Sequence, residues 1–306
     1  MPGPHRHLRA LLALAVVAAL LSGCRSSDGP ASARPAVVVT TSIIGELVRA
    51  IGGDAVSVRV LIPEGADPHD IEPSATDAAR MRQAALVVAN GLGLEEGLAS
   101  ALRAARADGV PVLELGPSLD PVDAPGTDHP DPHVWLDPDR WARAAALVVD
   151  ALADRGIDRT ELETRADAWR DQVRATGTDV RSILASVPAG DRLLITNHDA
   201  LEYFATRFGF KVIGVVIPGG STLAEPSAAD ISRLATTMRT SDVRAVFTET
   251  TTSPRLVQML AKEVGGEVAV IELPTDSLDH RDPTYRSLLT TLAHRIADGL
   301  ATGTNP

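Results

Sequence analysis

Short runs of β-branched and apolar residues alternate with longer helix-like stretches along most of the chain, beginning at Ala36. This alternation is typical of parallel sheets flanked by helices. The pattern predicts strands at Val37–Thr40, Val56–Leu61, Ala85–Ala89, Val110–Leu113, Leu193–Thr196, Lys211–Val216, Ala245–Thr248 and Val268–Glu272. A long stretch without strand pattern separates the first four from the last four, so we expect an α/β fold of two lobes.

The stretch between the two groups of strands has a helical period. Apolar residues recur there at intervals of three, four or seven positions, at Leu162, Ala166, Trp169, Val173, Val180, Ile183 and Val187. This spacing puts them on one face of a long helix, whose weakest position is Gly177. We interpret the helix as a rigid connector. The predicted organisation is a first lobe at residues 36–137, a helical segment at 138–189 and a second lobe at 190–306.

The N-terminus has the pattern of an export signal. Basic residues precede an apolar run from Ala10 to Leu21, which is shorter than the ~20 residues that a membrane-spanning helix needs. The run leads into Leu-Ser-Gly-Cys, which ends at the only cysteine, Cys24, and resembles the bacterial lipobox, where the cysteine is acylated. We expect a signal peptide at residues 1–23 and a flexible tether at 24–35. A lipid on Cys24 would then anchor the exported protein to the cell membrane, facing the periplasm or the cell exterior.

The acidic charge of the chain argues against nucleic acid as a partner. The formal net charge is −11, and loss of residues 1–23 removes two arginines and no acids, which changes it to about −13. The remaining chain of about 280 residues is long enough for two modest domains with their own cores.

Three of the histidines that remain after signal removal follow predicted strands. His198 comes just after a strand of the second lobe, whereas His69 and His133 lie on longer loops that leave strands of the first lobe. Asp276 follows the last predicted strand of the second lobe. Ligands of open parallel sheets bind at the carboxyl ends of the strands, and three imidazoles with one carboxylate suit a tetrahedral zinc site. Because protein groups would fill all the coordination positions of such a site, no position is left for activating water. The site therefore favours metal capture over catalysis.

Several segments together resemble the successive signatures of one family. The segments are GADPHDIEPSATD, VVANGLGLEE, DPHVWLDP, NHDALEYFATRFGF and PTDSL. They resemble the zinc- and manganese-binding solute receptors of ABC importers over essentially the whole mature chain. The resemblance implies two α/β lobes joined by a long backbone helix, with the metal between the lobes. It also implies the metal ligands His69, His133, His198 and Asp276, a permease and its ATPase as partners, and a monomeric receptor.

The resemblance also bears on which metal is carried. Members that favour manganese often have glutamate where this chain has His198, whereas the zinc branch has histidine. We therefore expect Zn2+ as the transported ligand, with Mn2+ second, and an affinity that falls below about pH 6.5, where an unperturbed imidazole takes up a proton. The loop before His133 is less rich in histidine than in zinc-branch members, so we expect Asp128, His129 and Asp131 to lie in a solvated, mobile loop.

Other polar residues stand near the expected ligands. Glu72 and Glu249 are candidates to contact a metal-bound imidazole through its other nitrogen, as such imidazoles usually require. For Glu72 the alternative is a role in the loop or in capping a helix. Asp279 and His280 are the alternatives to Asp276 as the fourth ligand.

Two other functions compete with that of a receptor. A zinc-dependent hydrolase outside the cytoplasm would need a vacant coordination position and a placed general base, and the sequence has no HExxH helix. In an adhesin-like structural lipoprotein, the metal would only brace the lobes. We expect the chain to be a receptor and not an enzyme.

Overall fold

The computed structural model describes residues 34–125, 127–217, 222–223, 226–251, 253–265 and 268–303. The expected signal peptide and Cys24 lie outside these residues, so their assignment stays a prediction. Among the helices of the described part, none is long and apolar enough to cross a membrane.

The first lobe is built on a four-stranded parallel sheet with the order β2-β1-β3-β4. Its strands are β1 Ala36–Val39, β2 Ser57–Val60, β3 Leu86–Ala89 and β4 Val112–Glu114. Its helices are α1 Ser42–Gly52, α2 Ala75–Gln83 and α3 Ala99–Ala107. β1 and β3 are the central strands of this sheet.

The second lobe repeats this plan, with a parallel sheet in the order β6-β5-β7-β8. Its strands are β5 Leu193–His198, β6 Lys211–Ile217, β7 Ala245–Glu249 and β8 Ala269–Leu273. Its helices are α6 Glu202–Phe208, α7 Ala228–Thr240, α8 Arg255–Val264 and α9 Tyr285–Gly303. The fold of two α/β lobes with parallel sheets is therefore confirmed, with every strand end within two residues of its prediction.

Two long helices lie between the lobes, α4 Pro138–Ala153 and α5 Arg159–Leu184. The predicted connector is α5, which ends three residues before Val187 and packs against both α1 of the first lobe and α9 of the second. Its predicted apolar face is buried except for Ile183, which is half-buried. A Cβ on Gly177 would come within 3.2 Å of Pro138 Cβ, so glycine at this position lets α4 and α5 approach closely.

The largest apolar cluster is shared by both lobes. It includes residues of β1 and α1 from the first lobe, of α4 and α5, and of β7 and α9 from the second lobe. A smaller cluster fills the outer side of each sheet. The lobes are thus joined by a common packed core, which resists a wide hinge opening. The exact lobe boundaries at residues 137 and 189 stay predictions.

Candidate metal centre

His198 is the last residue of β5, a central strand paired with β6 on one side and β7 on the other. The prediction ended this strand at Thr196, two residues too early. Glu249 is the last residue of the neighbouring strand β7, so the two strand ends bring their side chains together. The carboxylate oxygen Oε2 of Glu249 lies 2.9 Å from Nδ1 of His198, and both residues are buried.

His69 lies on the loop that follows β2, and its side chain is only 1 % exposed. Its backbone N–H donates a hydrogen bond of 2.9 Å to Oδ1 of Asp67. Neither ring nitrogen of His69 has a hydrogen-bond partner among the described residues. A buried imidazole without partners is costly, so this ring has the property expected of a metal ligand.

His133 is held by Asp131, which is completely buried. Oδ1 of Asp131 accepts the backbone N–H of His133 at 2.9 Å and lies 2.7 Å from its ring Nδ1. The expectation that Asp131 belongs to a solvated loop is therefore wrong, although Asp128 and His129 are exposed.

The sequence contained a signal for this contact. The tripeptide Asp-Pro-His occurs twice, at residues 67–69 and 131–133, and in both copies the aspartate accepts the histidine backbone N–H at 2.9 Å. An aspartate that bonds the backbone two residues on forms a local turn, which explains the repeated spacing.

The three imidazoles come together between the lobes. One ring nitrogen from each of His69, His133 and His198 lies within 4.8 Å of the other two, and the ring centroids are 5.1–5.5 Å apart. Nε2 of His133 and Nε2 of His198 are 3.3 Å apart, and two nitrogens on one tetrahedral zinc are separated by about 3.3–3.4 Å when each Zn–N bond is 2.0–2.1 Å. At this pair the spacing already suits zinc.

Asp276 is buried in the loop after β8 but lies outside the group of three histidines. Its Oδ2 accepts hydrogen bonds from the hydroxyl groups of Thr251 and Thr275, each at 3.2 Å. Its Oδ1 is buried and has no hydrogen-bond partner in the described part of the chain, so one carboxylate oxygen is left for a cation. The alternative ligands Asp279 and His280 are both exposed.

Glu72 is also exposed, and no hydrogen bond or ion pair within the described residues joins it to a histidine. This exposure agrees with the alternative given for Glu72, a role in the loop or in capping a helix. Of the two glutamate candidates, Glu249 is the one that contacts a ring, and Asp131 is a contact that the sequence interpretation missed.

Burial and neighbouring charges give the three imidazoles different proton affinities. Burial, together with the other two rings, lowers the pKa of His69 to about 2, and burial holds the pKa of His133 well below its usual range. Burial also opposes charge on His198, but the carboxylates of Glu249 and Asp276 outweigh it and raise the pKa of His198 to about 9.

The nearby carboxyl groups are also perturbed. Burial raises the pKa of Asp276 to about 7 although His198 lowers it, and burial raises the pKa of Asp131 to about 7 although the backbone N–H of His133 lowers it. A cation bound by the imidazoles would favour the ionised form of these buried acids. A cavity of about 670 Å³ is lined by Asp67, Asp70, Asn197 and Thr251 among others, and Asn197 directly precedes His198 in the chain.

Comparisons with known proteins agree with this architecture. The family model described as the periplasmic zinc-uptake complex component A matches residues 37–299. The zinc-binding protein TroA of Treponema pallidum is 31 % identical over 294 residues, which cover 94 % of both chains. The manganese-binding lipoprotein MntA of Halalkalibacterium halodurans is 26 % identical over 285 residues, 92 % of this chain and 93 % of that one.

The fold is also that of solved structures of this group. The structure of the periplasmic zinc-binding protein TroA from Treponema pallidum has a TM-score of 0.81 at 29 % identity, and covers 87 % of this chain and 99 % of its own. The family resemblance of the sequence is thereby confirmed. The chain belongs to the ZnuA family, that of the periplasmic component A of zinc-uptake complexes.

Proposed function

We propose that this protein is an extracytoplasmic receptor that captures Zn2+ and delivers it to the permease of an ABC importer. The ligands in this proposal are His69, His133, His198 and Asp276. Membership of the ZnuA family supports the receptor role, and the buried cluster of imidazoles supports metal as the cargo.

The observation that carries the proposal is the convergence of three buried imidazoles from two lobes. A buried polar nitrogen without a partner costs about 1–3 kcal/mol, and both ring nitrogens of His69 are in that state. Nε2 of His133 and Nε2 of His198 face each other at 3.3 Å beside this ring. A cation with nitrogen-ligand chemistry would satisfy all three rings together.

The donor set favours zinc over manganese. Imidazole nitrogen suits zinc, whereas manganese prefers oxygen ligands and higher coordination numbers. In this proposal Asp276 supplies a single oxygen, Oδ1, because its Oδ2 is engaged by two threonine hydroxyl groups. The names of the relatives include both zinc-binding and manganese-binding proteins, so the preference for zinc rests on the donors of this chain.

The envelope location and the partners are part of the same proposal. Residues 1–23 would direct export, and an acyl group on Cys24 would hold the monomeric receptor at the membrane next to its permease and ATPase. The description of the family as periplasmic, and the word lipoprotein in the name of the MntA relative, support this arrangement.

We propose no catalytic role. The family is one of uptake components, and the carboxylates nearest to the rings are engaged: Asp131 contacts His133, and Glu249 contacts His198. A hydrolase needs a carboxylate free to activate water. The receptor proposal therefore has more support than a zinc hydrolase or an adhesin-like lipoprotein.

The test is metal analysis of purified protein that begins after the signal peptide. We expect one zinc ion per chain, tighter binding of zinc than of manganese in competition titrations, and a melting temperature that rises with zinc because only the native state binds it. His69→Ala should abolish tight binding. His294→Ala, which changes an exposed histidine of α9, is the matched control.

Three outcomes would contradict the proposal. One is wild-type protein that takes up no zinc, and another is a His69→Ala variant that binds zinc as the wild type does. A steady-state hydrolase activity that requires zinc would contradict the non-catalytic role.

A further inference from the structure

The side chain of Trp135 lies against both halves of the metal centre. Its ring packs edge-on against the ring of His133, with centroids 5.3 Å apart. Its Nε1–H donates a buried hydrogen bond of 2.8 Å to the backbone oxygen of Thr275. One side chain of the first lobe therefore contacts a proposed ligand of its own lobe and the residue that precedes the proposed ligand Asp276.

A second buried residue fixes Trp135 itself. The hydroxyl group of Tyr285 donates a hydrogen bond of 2.7 Å to the backbone oxygen of Trp135. The backbone N–H of Tyr285, at the start of α9, donates to the Glu46 carboxylate of α1 at 2.6 Å. Tyr285 is thus bonded at its hydroxyl group and at its backbone to two elements of the first lobe, and it is fully buried.

The segment that carries Asp276 is joined to the first lobe by the Trp135 hydrogen bond and by a second one, from the backbone N–H of Leu278 to Oγ of Ser42 at 2.9 Å. It lies between β8 and α9 and has no helical or strand hydrogen bonds of its own. The hydroxyl group of Thr275 also donates a hydrogen bond to Oδ2 of Asp276. The residue whose backbone oxygen accepts the Trp135 hydrogen bond is therefore adjacent to Asp276 and bonded to its carboxylate. A shift of this segment would move Asp276 relative to the histidines.

We propose that Trp135 is a positioning residue that sets the distance between His133 and Asp276 through its hydrogen bond to Thr275. The inference rests on the proposed metal-binding function, since it concerns how that site is held. Metal sites depend on the groups that orient their ligands, and loss of such a group typically weakens metal binding by about 10- to 100-fold.

The competing interpretation is that Trp135 only fills the core. Trp141 and Trp169 provide the comparison, because both are buried and both pack near Tyr285, with ring centroids 6.4 and 6.3 Å from its ring. Neither of their indole N–H groups has a hydrogen-bond partner within the described residues. Replacement of Trp169 by phenylalanine therefore removes similar volume but no hydrogen bond.

The experiment compares Trp135→Phe and Trp169→Phe in protein that begins after the signal peptide. Zinc affinity is measured by competition with a chromogenic chelator, and the stability of the zinc-free protein by urea unfolding. We expect Trp135→Phe to weaken the affinity for zinc about 10- to 100-fold. Trp169→Phe should change this affinity by less than about threefold. Tyr285→Phe removes only the hydroxyl group that holds Trp135, and it should also weaken the affinity for zinc. This variant tests the proposal if Trp135→Phe does not fold.

A double-mutant cycle with Asp276→Ala separates positioning from a general structural effect. If Trp135 acts through Asp276, Trp135→Phe should lose most of its effect on zinc affinity in the Asp276→Ala background. An equal loss in both backgrounds, or equal losses for Trp135→Phe and Trp169→Phe, would overturn the inference. Wild-type protein that binds no zinc would instead overturn the proposed function, and the positioning role with it.

Discussion

Zinc binding is expected to release a proton from His198 at pH values far above the usual range of an imidazole. Burial opposes charge on this ring, but Glu249, 2.9 Å from Nδ1, and Asp276 outweigh it and raise the pKa of His198 to about 9. Nε2 of His198 lies 3.3 Å from Nε2 of His133, whose low pKa keeps that ring neutral. One proton between the two nitrogens makes this contact favourable. Zinc must displace that proton, because both compete for the same lone pair.

The size of the effect follows from the pKa. A competing proton weakens the apparent affinity about tenfold for each pH unit below the pKa of its site. Zinc binding should therefore be about tenfold weaker at pH 8, and about 100-fold weaker at pH 7, than its limit above pH 9. Below pH 7 the dependence should steepen, because burial raises the pKa of Asp276 to about 7 and its carboxyl group then also takes up a proton. The sequence alone placed the fall in affinity below about pH 6.5.

The variant that tests this reasoning is Glu249→Gln. Burial lowers the pKa of His198 and the Glu249 carboxylate raises it. Removal of that carboxylate should therefore lower the pKa of His198. Calorimetric titration with zinc at pH 7.5, in two buffers of different ionisation enthalpy, counts the protons released. We expect about one proton from His198 in the wild type and well below one in the variant. Above pH 9 the variant should bind zinc about 10- to 100-fold more weakly, because the imidazole has lost the group that orients it and raises its basicity.

Glu72→Gln is the matched control, since Glu72 is an exposed carboxylate three residues from His69 and should leave proton release unchanged. The reasoning fails if the wild type binds zinc at pH 7.5 without releasing a proton. It also fails if Glu249→Gln shows the same pH dependence as the wild type between pH 7 and 9.

Further predictions concern selectivity, packing, shape and anchoring. His198→Glu should narrow the difference between the zinc and manganese affinities in competition titrations, because it supplies an oxygen ligand. An unchanged ratio of the two affinities would contradict this. Gly97→Ala should lower the free energy of unfolding in urea by about 1–3 kcal/mol, because the new Cβ would lie 2.3 Å from the backbone oxygen of Ile71. Small-angle scattering should find little change in the radius of gyration on zinc binding, since the lobes share one core; a large change would refute the rigid connector. Cys24→Ala should abolish acylation, detectable by mass spectrometry, and release the protein from membranes without loss of zinc binding.

The sequence by itself predicted the fold, which the structure confirms, and the candidate ligands of the proposed metal site. Runs such as Val37–Val39 and Leu86–Ala89 are buried strands of parallel sheets, which read as continuous apolar segments. His198 was predicted as a ligand because ligands bind at the carboxyl ends of strands, and the family resemblance of the ordered motifs implied His69, His133 and Asp276 as the other ligands. Strand runs and motifs are local features of the chain, so the periodicity and the order of motifs in the sequence are enough to predict them.

Only the tertiary structure decided which groups serve the histidines. Glu249 reaches His198 because two strands far apart in sequence are neighbours in the sheet, and Trp135 bonds a backbone oxygen 140 residues away. Asp131 could have been found from the repeated Asp-Pro-His, but its complete burial depends on packing between segments. The elevated pKa of His198 likewise comes from burial and from carboxylates distant along the chain. Contacts between distant segments have no local period in the sequence, so the folded chain alone sets the electrostatics of this site.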